Sequence, residues 1–463
     1  MSHPRGFLEQ LLARHDLGER EAGELLVALT DPELDAALAA ALLTALRAKG
    51  VTAPEVRGFA RAMRALARRP NLPATPDGID IVGTGGDGSG SYNLSTGAAL
   101  LTAACGLPVI KHGNRSVTSR CGSADLIEAL GLALPLDEQR AADCFAATGF
   151  TFLFAPYFHP AMKRLAPVRA ALGVRTVFNL LGPLTNPAAP RFHLIGAYDA
   201  ATAELLAHSL VGLPFERAWV VHGAGGWDEA TPIGPFLAFT VSDGRVERLT
   251  VDPATLGLAP CTVEDLKGGD AARNVAALEA VFAGRDRGAH RDALLLQAGL
   301  ALHIAGRSPS LRAGIEQAAA ALDDGSAARW LEGLRRFAPA TLGSAAPVGA
   351  GARRARAAWR ARAAFSRRWR TRAPRASPRR AAHCRRPSSS GAPAPRRPRR
   401  RCGSRPPASM SLPSSSCAPR RWARSPRRST MPAGASRAMR APAPARSRCS
   451  PSPPASTARS NIW

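Results

Sequence analysis

Leucine recurs every fourth residue at Leu34, Leu38, Leu42 and Leu46, a spacing that lines one face of an α-helix with apolar side chains. Asp31-Pro32-Glu33 lies just ahead and supplies an N-cap with an N1 proline, so the helix is expected to begin there and to stop at Gly50. Thr52 and Glu55, with Pro54 between them, form a capping-box pattern. Val56, Phe59, Met63 and Leu66 continue at helical spacing. Residues 1–72 therefore read as a small helical unit whose apolar stripes suit packing or dimerisation.

From about residue 75 the period shifts. Short apolar runs at 78–82, 107–110, 150–154 and 218–221 read as strands, and 95–105, 124–130 and 200–210 read as helices between them. This alternation predicts an α/β fold with a mostly parallel sheet and helices on both of its faces. Residues 73–344 form that larger domain, and a segment near 160–185 is expected to pack with the helical unit. In such sheets ligands gather beyond the carboxyl ends of the strands, which is where the chemically unusual residues of this chain fall.

The alternation stops near Ser344. Arg, Pro, Ser and Ala then dominate without periodicity, and such a segment cannot bury enough apolar surface to offset its chain entropy. Residues 345–463 are accordingly expected to be a disordered basic tail. Charge changes at the same point. The chain of 463 residues has 62 basic and 35 acidic side chains, a formal net charge of +27. Residues 351–463 hold 30 Arg and no Lys, Asp or Glu, which leaves 32 basic against 35 acidic residues in the first 350, a net of −3. A basic arm would bind nucleic acid non-specifically. Arg without any Lys is also what a GC-rich gene yields when its end is read out of frame, and this second reading is the preferred one. No apolar run long enough to cross a membrane occurs. Met1-Ser2-His3-Pro4-Arg5 lacks the apolar stretch of a signal peptide, so a cytoplasmic location is expected. Cys105, Cys121, Cys144 and Cys261 lie apart, as reduced thiols do.

Three strand ends carry the chemistry. After the first strand, 83–96 reads GTGGDGSGSYNLST; its five glycines let backbone N–H groups approach an anion, and the helix that follows adds a favourable dipole. The same loop matches G-x-G-x-x-G at Gly83, Gly85 and Gly88. However, the next strand ends in Lys111-His112 rather than in the acid of a dinucleotide site, and no Gly-Lys-Ser/Thr follows as in a Walker loop. After the second strand, 111–125 reads KHGNRSVTSRCGSAD, basic and rich in hydroxyls, with Ser123 expected to cap the next helix. Two such loops at successive strand ends suggest a ligand with several phosphates. After the strand at 218–221, Asp228 and Glu229 stand side by side in a glycine-rich turn, a donor set suited to Mg²⁺ bound together with phosphate oxygens. The segment Asn179–Pro187 is too punctuated for a helix and reads first as a structural loop. Arg169 is a candidate fork for a carboxylate, with a surface arginine as the plainer alternative.

Taken together, GTGGD at 83–87, NxST at 93–96, KHGNR at 111–115, GSAD at 122–125 and NLLGPLTNP at 179–187 resemble the anthranilate phosphoribosyltransferase family, in order and without large gaps over about residues 5–343. Departures are slight: Cys121 stands where the family often has Ser, and Leu94 fills the variable place of NxST. The resemblance implies a small helical domain beside an α/β domain, a homodimer joined through the helices, and transfer of the phosphoribosyl group of 5-phosphoribosyl 1-pyrophosphate to the amine of anthranilate. It implies that Gly83, Gly86, Asp87, Ser91, Asn93, Leu94, Ser95, Thr96, Lys111, His112, Gly113, Asn114, Arg115, Ser116, Val117, Thr118, Ser119 and Ser123 hold phosphoribosyl pyrophosphate. Gly83, Asn114 and Arg169 would hold anthranilate, with His112 and His159 along its path. Two Mg²⁺ per subunit are implied, one reached by Ser95 and another by Asp228 and Glu229. No residue stands out as a catalytic base; Lys111, Asn114 and Arg169 would act by electrostatics and positioning. Two rivals stay open at this point: a nucleic-acid-binding relative without catalysis, and a pyrimidine nucleoside phosphorylase.

Overall fold

The computed structural model describes residues 4–73, 76–116 and 120–337. Val117, Thr118, Ser119 and the expectations for residues 345–463 therefore lie outside the described residues. Four helices open the chain: α1 (Pro4–Leu12), α2 (Glu19–Thr30), α3 (Ala36–Lys49) and α4 (Ala53–Ala65). The start of α3 corrects the sequence reading. Asp35, not Asp31, is its N-cap, accepting from the N–H groups of Ala37 and Leu38 at 2.8 and 3.2 Å. Asp31 instead closes α2 and accepts from Glu33 N at 2.9 Å. Two cap-competent aspartates four residues apart compete, and the second directly precedes the alanine-rich run that propagates as helix. Gly50 does end α3, in a positive-φ conformation that glycine adopts readily.

Glu55 does more than close a capping box. Its side chain is fully buried, with Oε1 accepting from Leu17 N at 2.9 Å and Oε2 from Thr52 N at 2.8 Å and Lys49 Nζ at 3.0 Å. One carboxylate thus joins the α1–α2 connection, the end of α3 and the start of α4.

The α/β part runs β1 (Ile79–Gly83), α5 (Leu94–Ala104), β2 (Val109–Gly113), α6 (Ser123–Ala129), α7 (Glu138–Thr148), β3 (Phe150–Phe154), α8 (Ala155–Phe158), α9 (Leu165–Leu172), α10 (Phe178–Leu181), β4 (Phe192–Gly196), α11 (Ala200–Leu210), β5 (Arg217–His222), β6 (Phe236–Ser242) and β7 (Arg245–Val251). Four helices follow: α12 (Ala271–Phe282), α13 (Ala289–Ile304), α14 (Leu311–Asp323) and α15 (Ser326–Phe337). The seven strands form one sheet in the order β3-β2-β1-β4-β5-β6-β7. The first five are parallel and the last two antiparallel. The mostly parallel sheet expected from the alternation is therefore present. Sequence reading had missed β4 and the β6–β7 hairpin, although Asp243-Gly244, both at positive φ, is a strong two-residue hairpin signal.

The chain leaves β1 on one side to build β2 and β3, then returns to its other side with β4. This order places a topological switch at β1 and β4, whose carboxyl ends open a crevice. One apolar cluster fills the sheet face covered by α5, α13 and α15. A second runs without a break from Phe7, Leu25 and Phe59 of the opening helices, through Leu165, Phe178 and Leu184, to Ile195 and Val220 of the sheet. Arg57 Nη1 donates to Val211 O at 2.6 Å, Arg64 Nε to Leu184 O at 2.7 Å and Arg164 Nη2 to Leu34 O at 2.7 Å, tying both units together. Among the described residues no helix is long and apolar enough to cross a membrane.

Glu55→Ala leaves the Leu17 and Thr52 N–H groups without their acceptor and the Lys49 ammonium with Asp16 alone, and is expected to cost about 3 kcal/mol. Urea unfolding of the full chain reads this as a lower midpoint at unchanged slope. A loss below about 1 kcal/mol would show that neighbouring groups replace the carboxylate.

Candidate active site

The loop after β1 earns its glycines. Gly85, Gly86, Gly88 and Gly90 all take positive φ, between 63° and 74°, where other side chains are strained. The loop is held at both ends. Thr84 N donates to Gly196 O at 3.0 Å, and Tyr92 N to Leu266 O at 3.1 Å, with a bridge between Ser91 and Lys267. Asn93 then accepts from the N–H groups of Thr96 and Gly97, each at 3.0 Å, to start α5. Arg175, which sequence reading had passed over, donates to Gly86 O and stacks its guanidinium 4.0 Å from the Tyr198 ring centroid.

Asp228 and Glu229 reach into this loop from the end of β5. Asp228 Oδ2 accepts from Gly85 N at 2.6 Å, and Glu229 Oε1 from Ser95 N at 2.9 Å. Glu229 Oε2 is buried with no hydrogen-bond partner. The approach is possible because Gly83 and Gly196 lack side chains: a Cβ at Gly83 would strike the Asp228 carboxylate, and one at Gly196 its carbonyl oxygen. Gln297 Nε2, from α13, supports the turn from below by donating to Ala230 O at 2.9 Å. Burial and the nearby Asp87 push the Asp228 carboxyl well above its ordinary range; burial and Asp228 do the same to Glu229.

Lys111, at the end of β2, points its ammonium to Ile81 O and, at 3.4 Å, to Ser95 Oγ. Burial brings it down to about 8, while Asp80, Glu229 and Asp228 pull the other way. The site therefore has two crowded carboxylates, one unpartnered oxygen and a buried ammonium close by. Such oxygen donors fit Mg²⁺. Among the described residues no group of three or more His, Cys, Asp or Glu side chains forms a metal cage. An ion here would complete its shell with substrate oxygens and water.

The second loop corrects one expectation. Ser123 does not cap α6: Gly122 is the N-cap, Asp125 reaches back to Gly122 N at 2.8 Å, and Ser123 Oγ donates to Asn114 O at 3.0 Å. A residue already inside the first turn cannot serve the orphan N–H groups as its predecessor can. The Arg115 side chain is partly exposed. It is paired with Asp125 at 2.9 Å and Glu128 at 2.7 Å on the face of α6, which raises its pKa. Ser116 N also faces Asp125, at 3.4 Å.

His112 and His159 do meet, with ring centroids 5.0 Å apart. His112 Nδ1 lies 3.2 Å from Gly182 O, and burial lowers its imidazole to about 4. Arg169, on α9, is buried and lies over the Phe178 ring at 5.3 Å. Among the described residues no carboxylate pairs with it, and burial alone lowers its guanidinium to about 10. No hydrogen bond among the described residues joins it to Gly83 or Asn114. The Asn179–Pro187 segment, expected to be too punctuated for a helix, carries most of the short α10, whose single turn fits between the punctuating residues; Asn186 Nδ2 donates to Asp80 Oδ2 at 2.9 Å and Ile110 O at 2.8 Å, pinning the segment across β1 and β2. Asn274, far along the chain, was missed by sequence reading; its Nδ2 donates to Asn93 Oδ1 at 2.7 Å. A cavity of about 330 Å³ lined by Val211, Leu213, Phe215 and Ser242 opens at the amino end of β5, away from these loops.

A glycine-rich loop, a basic strand end and an acid pair meet over the crevice of a doubly covered sheet. A family model described as "Glycosyl transferase family, a/b domain" matches residues 75–328, and one described as "Glycosyl transferase family, helical bundle domain" matches residues 5–67. Fold and site thus define a glycosyltransferase. The anthranilate phosphoribosyltransferase of Solibacter usitatus is 46% identical over 333 residues, covering 72% of this chain and 97% of that protein. The crystal structure of the Thermus thermophilus enzyme of that name superposes with a TM-score of 0.67 at 42% identity, over 72% of this chain and 99% of the other. The Saccharomyces cerevisiae enzyme, solved in complex with PRPP and Mg, gives a TM-score of 0.67 at 26% identity over 73% and 98%. The chain belongs to the anthranilate phosphoribosyltransferase family, as its motifs had suggested.

Asp228 and Glu229 bind protons more tightly folded than unfolded. Their contribution to stability is full below about pH 4 and is lost as pH rises through their raised folded values. In chelator, the melting temperature is expected to fall between about pH 5 and pH 8, and Asp228→Asn or millimolar Mg²⁺ to flatten most of that fall. Parallel melting curves for variant and parent across that range would assign the slope elsewhere.

Proposed function

We propose that this chain transfers the phosphoribosyl group of 5-phosphoribosyl 1-pyrophosphate to the amine of anthranilate, releasing pyrophosphate, in tryptophan biosynthesis. The observation that carries the reading is the buried Asp228–Glu229 pair, hydrogen-bonded to Gly85 N and Ser95 N at the two ends of the glycine loop. The names of its relatives agree with it.

The glycine loop and the N-terminus of α5 would receive phosphate oxygens through backbone N–H groups. Lys111 holds a positive charge beneath them. Asp228, Glu229 and Ser95 are the residues placed to hold Mg²⁺, with two ions per subunit in this reading. When bound, Mg²⁺ would offset charge on the pyrophosphate as it leaves. Arg169, buried without a carboxylate partner, is suited to the carboxylate of anthranilate in a bidentate pair. His112, with its pKa near 4, stays neutral at pH 7 and lines the path beside His159 as an uncharged wall. The C1–oxygen bond to pyrophosphate breaks as the C1–nitrogen bond forms, the electron pair leaves with pyrophosphate, and the nitrogen then passes its surplus proton to water or to the departing pyrophosphate. A neutral amine needs no base before attack, so positioning and electrostatics are the main demands.

Leu12 and Val27 expose apolar side chains on the opening helices, which supports a homodimer joined there. Among the described residues Cys105, Cys121, Cys144 and Cys261 are joined in no disulfide, which supports a reducing, cytoplasmic setting.

Loss of anthranilate fluorescence on adding phosphoribosyl pyrophosphate and Mg²⁺ tests the reaction in the full chain. Consumption that needs all components is expected, and phosphorolysis of uridine or thymidine in its place would overturn the reading. Arg169→Ala is expected to raise the KM for anthranilate by about tenfold or more with a smaller change for the donor. An unchanged KM would remove Arg169 from the substrate site.

A further inference from the structure

Asn274, in the first turn of α12, takes no part in the chemistry above, yet its carboxamide is buried and bonded at both its oxygen and its nitrogen. Its Oδ1 accepts from Gly269 N at 2.7 Å. A backbone N–H can only donate, so the other arm of Asn274 is the donor, and it reaches Asn93 Oδ1 at 2.7 Å. Asn93 then has its own Nδ2 turned to Cys121 O, at 3.0 Å. A backbone carbonyl can only accept. Both ends of this relay are therefore of fixed polarity, and they set both carboxamides between them without ambiguity.

The relay spans three loops: the stretch before α12, the end of the glycine loop after β1, and the end of the basic loop after β2. The Cys121 thiol also makes a hydrogen-bonding contact with the Asn274 side chain. Asn93 needs such support. It stands at a φ of 24°, a conformation that a non-glycine residue holds when its surroundings impose it, and its carbonyl anchors the first turn of α5. Its side chain makes no cap to that helix. Ser95, whose N–H faces Glu229, lies two residues further on.

We infer that Asn274 is a positioning residue for the phosphoribosyl donor: through the carboxamide of Asn93 it fixes the start of α5 and holds the two phosphate loops at one separation. The inference rests on the reading that these loops bind phosphoribosyl pyrophosphate. It differs from a packing role because it depends on the direction of hydrogen bonds, not on the volume of the side chain. Asn274→Asp keeps size and still accepts from Gly269, but has no N–H to give. Asn93 would then face an acceptor, and turning its carboxamide would set its oxygen against Cys121 O.

The test uses the full chain, with Asn274→Asp and Asn274→Ala beside the parent. Both KM values, kcat, and the melting-temperature rise produced by phosphoribosyl pyrophosphate with Mg²⁺ are measured. Asn274→Asp is expected to raise the KM for the donor by about tenfold or more, beyond the effect of Asn274→Ala, and to shrink the donor-induced rise in melting temperature. The KM for anthranilate should stay within about twofold. If both variants lower the melting temperature of the unliganded protein alike and leave the donor KM and its thermal shift unchanged, Asn274 is a packing residue and the inference falls. A parent that neither consumes anthranilate nor gains stability from the donor would instead sink the proposed function beneath it.

Discussion

Two adjacent carboxylates are buried at the end of β5, and the surrounding architecture accommodates them. A charge taken out of water without partners is costly. Here the partners are backbone donors at Gly85 and Ser95, with the Lys111 ammonium nearby. The strand ends come close enough because Gly83 and Gly196 carry no side chain. The turn is propped by Gln297 from α13, the helix packed beside α5. Even so, the carboxyls remain pushed up, and Glu229 Oε2 has no partner. Crowded, unsatisfied carboxylate oxygens of this kind are donors suited to a hard cation.

Beneath the site a second buried carboxylate performs a structural task. Asp80, fully buried on β1 and raised by burial to about 6, accepts from His112 N at 3.2 Å and Asn186 Nδ2 at 2.9 Å. Its field also reaches Arg64 of α4, which holds the Asn179–Pro187 segment through Leu184 O. The strand that ends in the glycine loop, the strand that ends in Lys111 and the opening helices are thus referred to one group. The histidine pair sits on this floor, desolvated enough to stay neutral.

The glycine loop, the basic loop and the acid pair were legible in the sequence because each is a compositional anomaly confined to a few residues beside an apolar strand. The strands at 78–82 and 218–221 were legible for the same local reason. β4 was not: His193 interrupts its apolar run, and a parallel strand buried on both faces is recognised by continuity. Cap positions were read within a few residues but misassigned at Asp31 and Ser123, where several polar side chains compete for the same N–H groups. Arg115 pairs with two carboxylates in the first two turns of α6, contacts that its own loop does not announce.

Periodicity, turn chemistry and the charge of a strand end act over a few residues, so the sequence by itself determined the fold class, the helical opening and the three loops that carry chemistry. Partner choice among buried polar groups acts over the whole chain. Asp228 meets Gly85 across 143 residues, and Asn274 meets Asn93 across 181. Which donor faces which acceptor depends on which groups are removed from water together, and that is decided only when the sheet has formed and the helices have closed over it.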